Sequence, residues 1–296
     1  MITTSHRWLG AGLLALGLGL ALNTLLGPLF TGRIDYPFTD TVRNETLGLE
    51  AVSLVLVAPL AILAGLLALR GHRAAPLVAL GPSGYAAYML VQYVVGPQYP
   101  SYQPSVAFHL GLLVLSVALL VGSWAVAGRE PAPPLRTRWS VVVLLMTAFV
   151  VSRWAPAFAA MPGNERVAAA APDLTMYWSI FMLDLGFVIP AALAAAVGLF
   201  AGARWARAAV FGVVGWFALV PPSVAAMAVV KVVRQDPNAS TGDTLVFIVV
   251  SAIFWIVAGV LFARLFRRED RAAGAGVDGP ERSRVPPPAR KGLMHL

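Results

Sequence analysis

Long apolar runs, separated by short polar segments, follow one another along most of the chain. A helix needs about 20 mostly apolar residues to cross the hydrocarbon core of a bilayer. The runs of that length lie at about 8–30, 47–69, 76–96, 105–127, 139–158, 177–201, 208–233 and 244–264. The pattern predicts an all-α, polytopic membrane bundle of about eight transmembrane helices.

Basic residues concentrate in every second connection between these runs. With the N-terminus in the cytoplasm, the cytoplasmic segments hold 16 of the 22 Lys and Arg residues and a net charge of +11, whereas the outer loops and outer helix ends carry −3. Short cytoplasmic loops of membrane proteins collect Lys and Arg. The distribution therefore predicts that the N- and C-termini are both cytoplasmic, and an even number of spans places both on the same side.

The composition supports a membrane protein of one domain. Hydrophobic residues make up 58% of the 296 residues and charged residues only 12%, with a mean hydropathy of +0.76, whereas soluble domains are about 45–50% apolar. We expect a transmembrane domain over 1–266 and a disordered cytoplasmic tail over 267–296, where Pro, Gly and alternating charges leave little to bury. The absence of cysteine excludes disulfides and thiolate-bound metals.

Asp184 is the most informative polar residue, because it lies well inside the sixth apolar run. Tyr177 and Trp178 precede it at the expected headgroup level. At 1.5 Å per residue, Asp184 lies roughly 10 Å deeper, which is too far for a short side chain to reach the interface. The carboxyl group must therefore find a hydrogen-bond donor, stay protonated or lie beside water.

Other polar residues are expected at the same depth, in the outer half of the bundle. Tyr85, Tyr88 and Gln92 share one face of the third span, because their spacing is i, i+3 and i+7. The further candidates are Glu50, His109, Arg153 and Lys231. Together with Asp184 they predict an outward-facing polar pocket. The alternatives are that Arg153 and Lys231 extend to the headgroups, that Glu50 favours a helix N-terminus, and that His109 is a hydrogen-bonded packing residue.

Prolines inside three of the runs predict kinked helices. Pro59 and Pro190 leave the carbonyl groups of Val55 and Gly186 without their usual partners. The Pro221–Pro222 pair does the same for Phe217 and Ala218. Such carbonyl groups must bond to neighbouring helices, side chains or water in a cavity. Kinks in the second, sixth and seventh spans are what helices converging on a binding site would show.

Three stretches resemble an uncharacterised family of bacterial multipass integral membrane proteins. They are RGHRAAPLVALGPSGYAAYMLVQYVVG at 70–96, FHLGLLVLSVALLVG from 108 and FMLDLGFVIPAALAAAVGLF from 181. The matching features are a basic turn, a Tyr-rich span and an Asp-Leu-Gly…Pro element, carried by Arg70, Gly71, Tyr85, Tyr88, Asp184, Leu185, Gly186 and Pro190. Similar sequences often have Tyr where this chain has His109. The resemblance implies a fold and a location in a bacterial membrane, and no reaction.

Several function classes lack their motifs. The sequence contains no nucleotide-binding glycine loop, no HExxH, no Gly-x-Ser-x-Gly and no pair of histidines at ligand spacing in a span. The Gly-rich LGLGL of the first span is better suited to close helix packing than to a dinucleotide. We predict no metal, no cofactor and no nucleic-acid partner.

Three hypotheses for function remain at this stage. The first is a multipass protein of the bacterial inner membrane whose pocket binds or transports a small solute or lipid, with Asp184 at its centre. The second is an intramembrane enzyme acting on a lipid or prenyl substrate, with Asp184 or Glu50 as acid and base. The third is an accessory subunit, without catalysis, in which the polar residues only hold helices together. The sequence favours the first, with membrane lipids as partners, and does not define an oligomeric state.

Overall fold

The structure, a computed structural model, describes residues 4–129, 132–159 and 171–277. Within these ranges the chain forms eight long helices, and the all-α prediction is confirmed for them. The helices are α1 Thr4–Leu26, α2 Asp40–Leu69, α3 Ala75–Val95, α4 Pro104–Arg129, α5 Arg138–Ala159, α6 Leu174–Phe200, α7 Arg204–Val233 and α8 Thr241–Val277. A single turn of 3-10 helix, Ala171–Asp173, precedes α6.

Seven of the eight described helices are long and apolar enough to cross a bilayer. The remaining one is α3, which carries Pro82 in its interior and the polar residues Tyr88 and Gln92. Most residues of α3 are buried among its neighbours, so this helix needs less apolar surface than one that faces lipid. That α3 also spans the membrane stays a prediction, as does the cytoplasmic location of both termini.

Large apolar side chains cover the outside of the bundle. Val114 of α4, Leu145 of α5 and Ile256 of α8 are 61%, 68% and 67% exposed. A water-soluble surface keeps such patches small, because exposed apolar area is costly in water. In the hydrocarbon core of a bilayer the same side chains meet lipid tails, so the exterior fits a membrane-embedded protein.

Small residues let the helices cross closely. Gly81 of α3 packs against Gly215 of α7, and a Cβ atom at Gly81 would lie 3.1 Å from the Cα atom of Gly215. Gly17, in the LGLGL stretch of α1, faces Ile62 and the carbonyl oxygen of Ala58 in α2. The prediction that these glycines serve helix packing is confirmed for Gly17. The α3–α7 crossing lies beneath the polar residues of the candidate site.

Two of the predicted kinks are short π-helical segments. In α2 the segment is Ser53–Val57, and in α6 it is Asp184–Val188. Each ends directly before a helical turn that contains proline, Pro59 in α2 and Pro190 in α6. The wider π turn accommodates residues that lack a normal i to i+4 hydrogen bond. In α6 this change of geometry begins at Asp184 itself.

The third predicted kink interrupts α7 between Phe217 and Val220. Pro222 cannot bond to the carbonyl group of Ala218, and the indole N–H of Trp255 in α8 donates to that carbonyl oxygen at 2.7 Å. A neighbouring helix thus supplies the partner that the proline removes, as the sequence predicts for a chain in lipid.

Hydrogen bonds join the loops at one end of the bundle. Asp236, after α7, accepts from Thr41 and Asn44 at the start of α2, and Gln98 donates to Thr175 at the start of α6. We call this the predicted outer end. At the opposite end, α8 continues to Val277, past the expected domain boundary at 266. The rest of the tail lies outside the described residues, and its disorder stays a prediction.

Candidate functional site

Asp184 is held by two hydrogen bonds at the point where α6 changes to π geometry. Tyr88 of α3 donates its hydroxyl to Oδ1 at 2.9 Å, and Trp154 of α5 donates its indole N–H to Oδ2 at 2.9 Å. Of the three outcomes expected for this acid, which were a hydrogen-bond donor, protonation or water, the structure shows donors. Both donors are neutral, so they stabilise a carboxylate without cancelling its charge.

Asp184 lines a cavity of about 340 Å³, which we call the Asp184 cavity. Its polar lining comes from Asp184 and Tyr88, together with Glu45 of α2 and Arg153 of α5. Its aromatic lining consists of Tyr88, Phe149, Trp154, Tyr177, Trp216, Phe217 and Phe247. The volume is at the lower end of the range of about 300–1,000 Å³ for small-molecule sites.

Arg153 is half-buried in the wall of the cavity. Its guanidinium carbon lies 4.4 Å from the ring centroid of Phe247 in α8, within the range of a cation–π contact. The Asp184 cavity therefore combines a fixed positive group, two carboxyl groups and an aromatic surface. That combination suits an amphipathic molecule with a polar or charged group.

Lys231 reaches this region through an ion pair. Its Nζ atom lies 2.8 Å from Oε1 of Glu45, and the two side chains are 18% and 33% exposed. The pair joins α7 to α2 beside the cavity. Of the two residues, Glu45 is the one that lines the cavity, so Lys231 acts on the site by neutralising and positioning Glu45.

Glu50 and His109 lie in a second polar group, away from the cavity lining. Glu50 of α2 and His109 of α4 are fully buried. The Nε2 atom of His109 is 2.7 Å from Oδ1 of Asn23 in α1 and 3.4 Å from the hydroxyl of Tyr36. We call Asn23, Tyr36, Glu50, Tyr93 and His109 the Glu50 cluster. The structure thus divides the predicted site residues between two places.

The polar face of α3 is divided as well. Tyr88 reaches the Asp184 cavity, whereas the Tyr85 hydroxyl lies 2.7 Å from the Ser223 hydroxyl of α7, where both residues are buried. Gln92 is buried and its amide reaches the carbonyl oxygen of Tyr88 at 3.5 Å. Within the described residues, Tyr85 connects α3 to α7 and Gln92 bonds within α3, and neither residue lines the cavity.

Two residues that line the cavity, Glu45 and Trp154, were not predicted from the sequence. Glu45 lies near the start of α2, where an acid is expected for helix reasons alone. Trp154 lies in an apolar run, although its indole N–H is a donor that a buried carboxylate needs. The adjacency of Trp154 to Arg153, on the span next to Asp184, is the signal that would have identified it.

No cluster of three or more His, Cys, Asp or Glu side chains suited to a metal ion occurs in the described part of the chain. No protein-family model matches the sequence. Neither a curated protein nor a solved structure matches it significantly. The geometry of the site is therefore the basis for any statement about function.

Proposed function

We propose that the chain is a multipass protein of the cell membrane that binds or transports a small solute or lipid in the Asp184 cavity. The distribution of basic residues supports an outward-facing cavity in a cytoplasmic membrane, and the family resemblance supports a bacterial inner membrane. Asp184, Arg153 and Tyr88 are the ligand-binding residues from the sequence that this proposal retains. Glu45 and Trp154 join them.

One observation carries the proposal: two carboxyl groups, a guanidinium group and seven aromatic side chains line a single cavity. Protein interiors are normally close-packed, so an acid that only fastens helices together needs no space beside it. Asp184 has space beside it and two fixed donors behind it. Its position is therefore set in advance of any ligand, which lowers the cost of binding.

A second candidate is an intramembrane enzyme, and one observation favours it. Glu45 and Asp184 both line the cavity, and paired carboxyl groups serve acid and base catalysis when they flank one bond. Lys231 holds Glu45, whereas neutral donors hold Asp184. The two acids thus have unequal surroundings, which is the condition for dividing acid and base roles.

The test is the retention of a ligand by the purified protein. Wild type is prepared in lipid nanodiscs, and native mass spectrometry records a small molecule or lipid that stays bound after mild delipidation. We expect a bound species in wild type and its loss in Asp184→Asn at unchanged folded yield, because the amide removes the charge while keeping the shape. Asp243→Asn, an exposed acid at the start of α8, serves as the matched control and retains the species.

The remaining outcomes separate the alternatives. A bound lipid that is chemically altered on incubation, with alteration abolished by Glu45→Gln and Asp184→Asn alike, favours the enzyme. An Asp184→Asn protein that fails to fold, together with a wild type that retains nothing, favours an accessory role. Equal retention by wild type and Asp184→Asn overturns the proposal that Asp184 binds the ligand.

A further inference from the structure

The Glu50 cluster contains buried polar atoms that the protein itself does not satisfy. Glu50 and His109 are each 0% exposed. Oε1 of Glu50, Nδ1 of His109 and the hydroxyl of Tyr93 have no hydrogen-bond partner among the described residues. Buried polar groups of native proteins are nearly always paired, so three unpaired atoms in one cluster require an explanation.

The carboxyl group of Glu50 has one protein partner. Its Oε2 atom accepts from the backbone N–H of Leu29 at 3.2 Å. Within the described residues no basic side chain pairs with Glu50. An isolated carboxylate in so enclosed a place is costly, whereas a protonated carboxyl group is tolerated and gains a donor.

Glycine at position 27 creates the space that this carboxyl group occupies. A Cβ atom there would overlap Oε1 of Glu50 and crowd Oε2. The chain after α1 therefore approaches Glu50 with backbone alone. The same turn supplies the Leu29 N–H, so residues 27–29 form one wall of the cluster and leave the unpaired Oε1 atom against it.

Aromatic rings form the remaining walls. The rings of Tyr36 and Tyr93 are stacked with centroids 5.0 Å apart, and His109 lies 5.2 Å from Tyr93. Burial, followed by the proximity of Glu50, raises the pKa of Tyr36 well above its ordinary value, so this hydroxyl is a neutral donor. Besides the tyrosines, Glu50 and His109 are the titratable groups of the cluster.

The cluster lies next to a cleft at the predicted outer end. This cleft has a volume of about 640 Å³, and Asp35 and Pro37 line it on either side of Tyr36 in sequence. Arg33 and Tyr99 also line it. Tyr36 thus has cleft-lining neighbours, while its own ring lies against Tyr93 and His109.

Each helix and loop that packs around Glu50 places particular polar or charged groups near it. The α1 side presents the uncharged Asn23, α3 presents Tyr93 and α4 presents His109. The loops present Tyr36 and, from the cleft, Arg33, Asp35 and Tyr99. On the α7 side Gly48 packs against Met227, and Lys231 is engaged by Glu45. Arg33 lies in the cleft, and no described basic side chain pairs with Glu50.

We propose that the Glu50 cluster is an enclosed proton-binding site, in which Glu50 holds an exchangeable proton and water bridges it to His109 and the outer cleft. On loading, the carboxylate accepts one proton from a hydronium ion and leaves one water molecule; unloading is the reverse. Water supplies the partners that Oε1, Nδ1 and the Tyr93 hydroxyl lack, because each water makes two to four hydrogen bonds. This inference stands whether or not the Asp184 cavity binds a ligand.

Infrared spectroscopy of the protein in lipid tests the proposal directly. A protonated carboxyl group gives a C=O stretch that is separate from the carboxylate and amide bands. We expect this band in wild type at neutral pH and its loss to background in Glu50→Gln. The matched control is Glu45→Gln, which changes the acid paired with Lys231 on the same helix and keeps the band. In D₂O the band shifts within the time of buffer exchange, because water reaches the site.

If Glu50→Gln does not fold, isotope labelling of wild type still shows whether the band comes from a glutamate. Wild type labelled with ¹³C at the glutamate side-chain carboxyl group shows the band at a lower frequency, whereas aspartate labelling leaves it in place. The opposite pattern overturns the assignment to Glu50, as does a folded wild type with no band at neutral pH. A band that keeps its position in D₂O over hours overturns the exchange with the outer cleft.

Discussion

Tyr88 donates its hydroxyl to Asp184 across the boundary between α3 and α6, with 2.9 Å between Oη and Oδ1. The ring of Tyr88 also meets Trp216 of α7 edge to face, with centroids 5.2 Å apart. The side chain of Tyr88 therefore connects Asp184 of α6 to its own helix α3 and to α7. The Tyr88 hydroxyl positions Asp184 and is also a direct hydrogen-bond donor to its carboxyl group.

We predict that Tyr88→Phe lowers the free energy of unfolding by about 1 to 2 kcal/mol. The substitution removes a hydrogen bond to a carboxylate and keeps the ring contact, and such bonds within membranes contribute on this scale. Unfolding in mixed micelles of SDS and a mild detergent measures the change. Tyr102→Phe, at a residue that is 74% exposed, is the control and leaves stability unaltered. Equal stabilities for both variants would show that the Tyr88 bond contributes nothing.

The ion pair between Glu45 and Lys231 is predicted to couple α2 and α7 by about 1 kcal/mol. Its side chains are 18% and 33% exposed, so solvent screens the attraction only in part. A double-mutant cycle with Glu45→Gln and Lys231→Met measures the coupling. The comparison pair is Arg43–Asp35, whose side chains are 44% and 70% exposed. If that exposed pair couples as strongly, burial is not the reason for the effect.

Asp236 is predicted to make the outer end sensitive to acid. Burial acts to raise its pKa, but hydrogen bonds from Asn44, Asn238 and Thr41 outweigh burial and hold the pKa below the ordinary carboxyl value. A depressed pKa gives stability that is present above the ordinary value of about 4 and is lost as the pH falls through the folded-state value.

The measurement for Asp236 is the free energy of unfolding as a function of pH. We expect wild type to lose stability on acidification and Asp236→Asn to show a flatter profile, since the amide has no proton to gain. Asp243→Asn, at an exposed acid, keeps the wild-type slope. An Asp236→Asn profile parallel to that of wild type would mean that the loop contacts do not depend on its charge.

A side chain at Gly215 is predicted to destabilise the crossing of α3 and α7. A Cβ atom there would lie 3.1 Å from the Cα atom of Gly81, and separating the helices costs about 1 to 3 kcal/mol. Gly111→Ala in α4 is the control, because nothing lies within 4 Å of its Cβ position. Alanine there is neutral or slightly stabilising. The measurement is the midpoint of thermal unfolding in detergent for Gly215→Ala and Gly111→Ala. Equal midpoints for the two variants would contradict the close crossing.

The sequence predicted much of the fold because lipid imposes strict rules. Apolar length located the helices, and Pro59, Pro190 and the Pro221–Pro222 pair located the places where regular hydrogen bonding fails. Asp184 was predicted to find a donor, stay protonated or lie beside water, and it has donors in Tyr88 and Trp154. Each of these predictions follows from the cost of an unsatisfied polar group in hydrocarbon.

The division into two sites was beyond the sequence. Counting residues gives the depth of a side chain along the membrane normal, and by this measure Glu50, His109 and Asp184 belong together. It does not give the direction in which a helix presents that side chain, which depends on helix rotation and on neighbours distant in sequence. Glu45 and Glu50, on one helix, serve different places for this reason.

The π segment Asp184–Val188 sets the direction, around the helix axis, in which the outer half of α6 presents its side chains. In an α-helix each residue turns the chain by about 100°, and a π segment accommodates one residue more than the α register does. Deleting a single residue between 185 and 188 would restore that register and swing the carboxylate roughly a quarter turn away from Tyr88 and Trp154. The length of this short stretch, no less than the acid it begins with, therefore determines whether the cavity has its central charge.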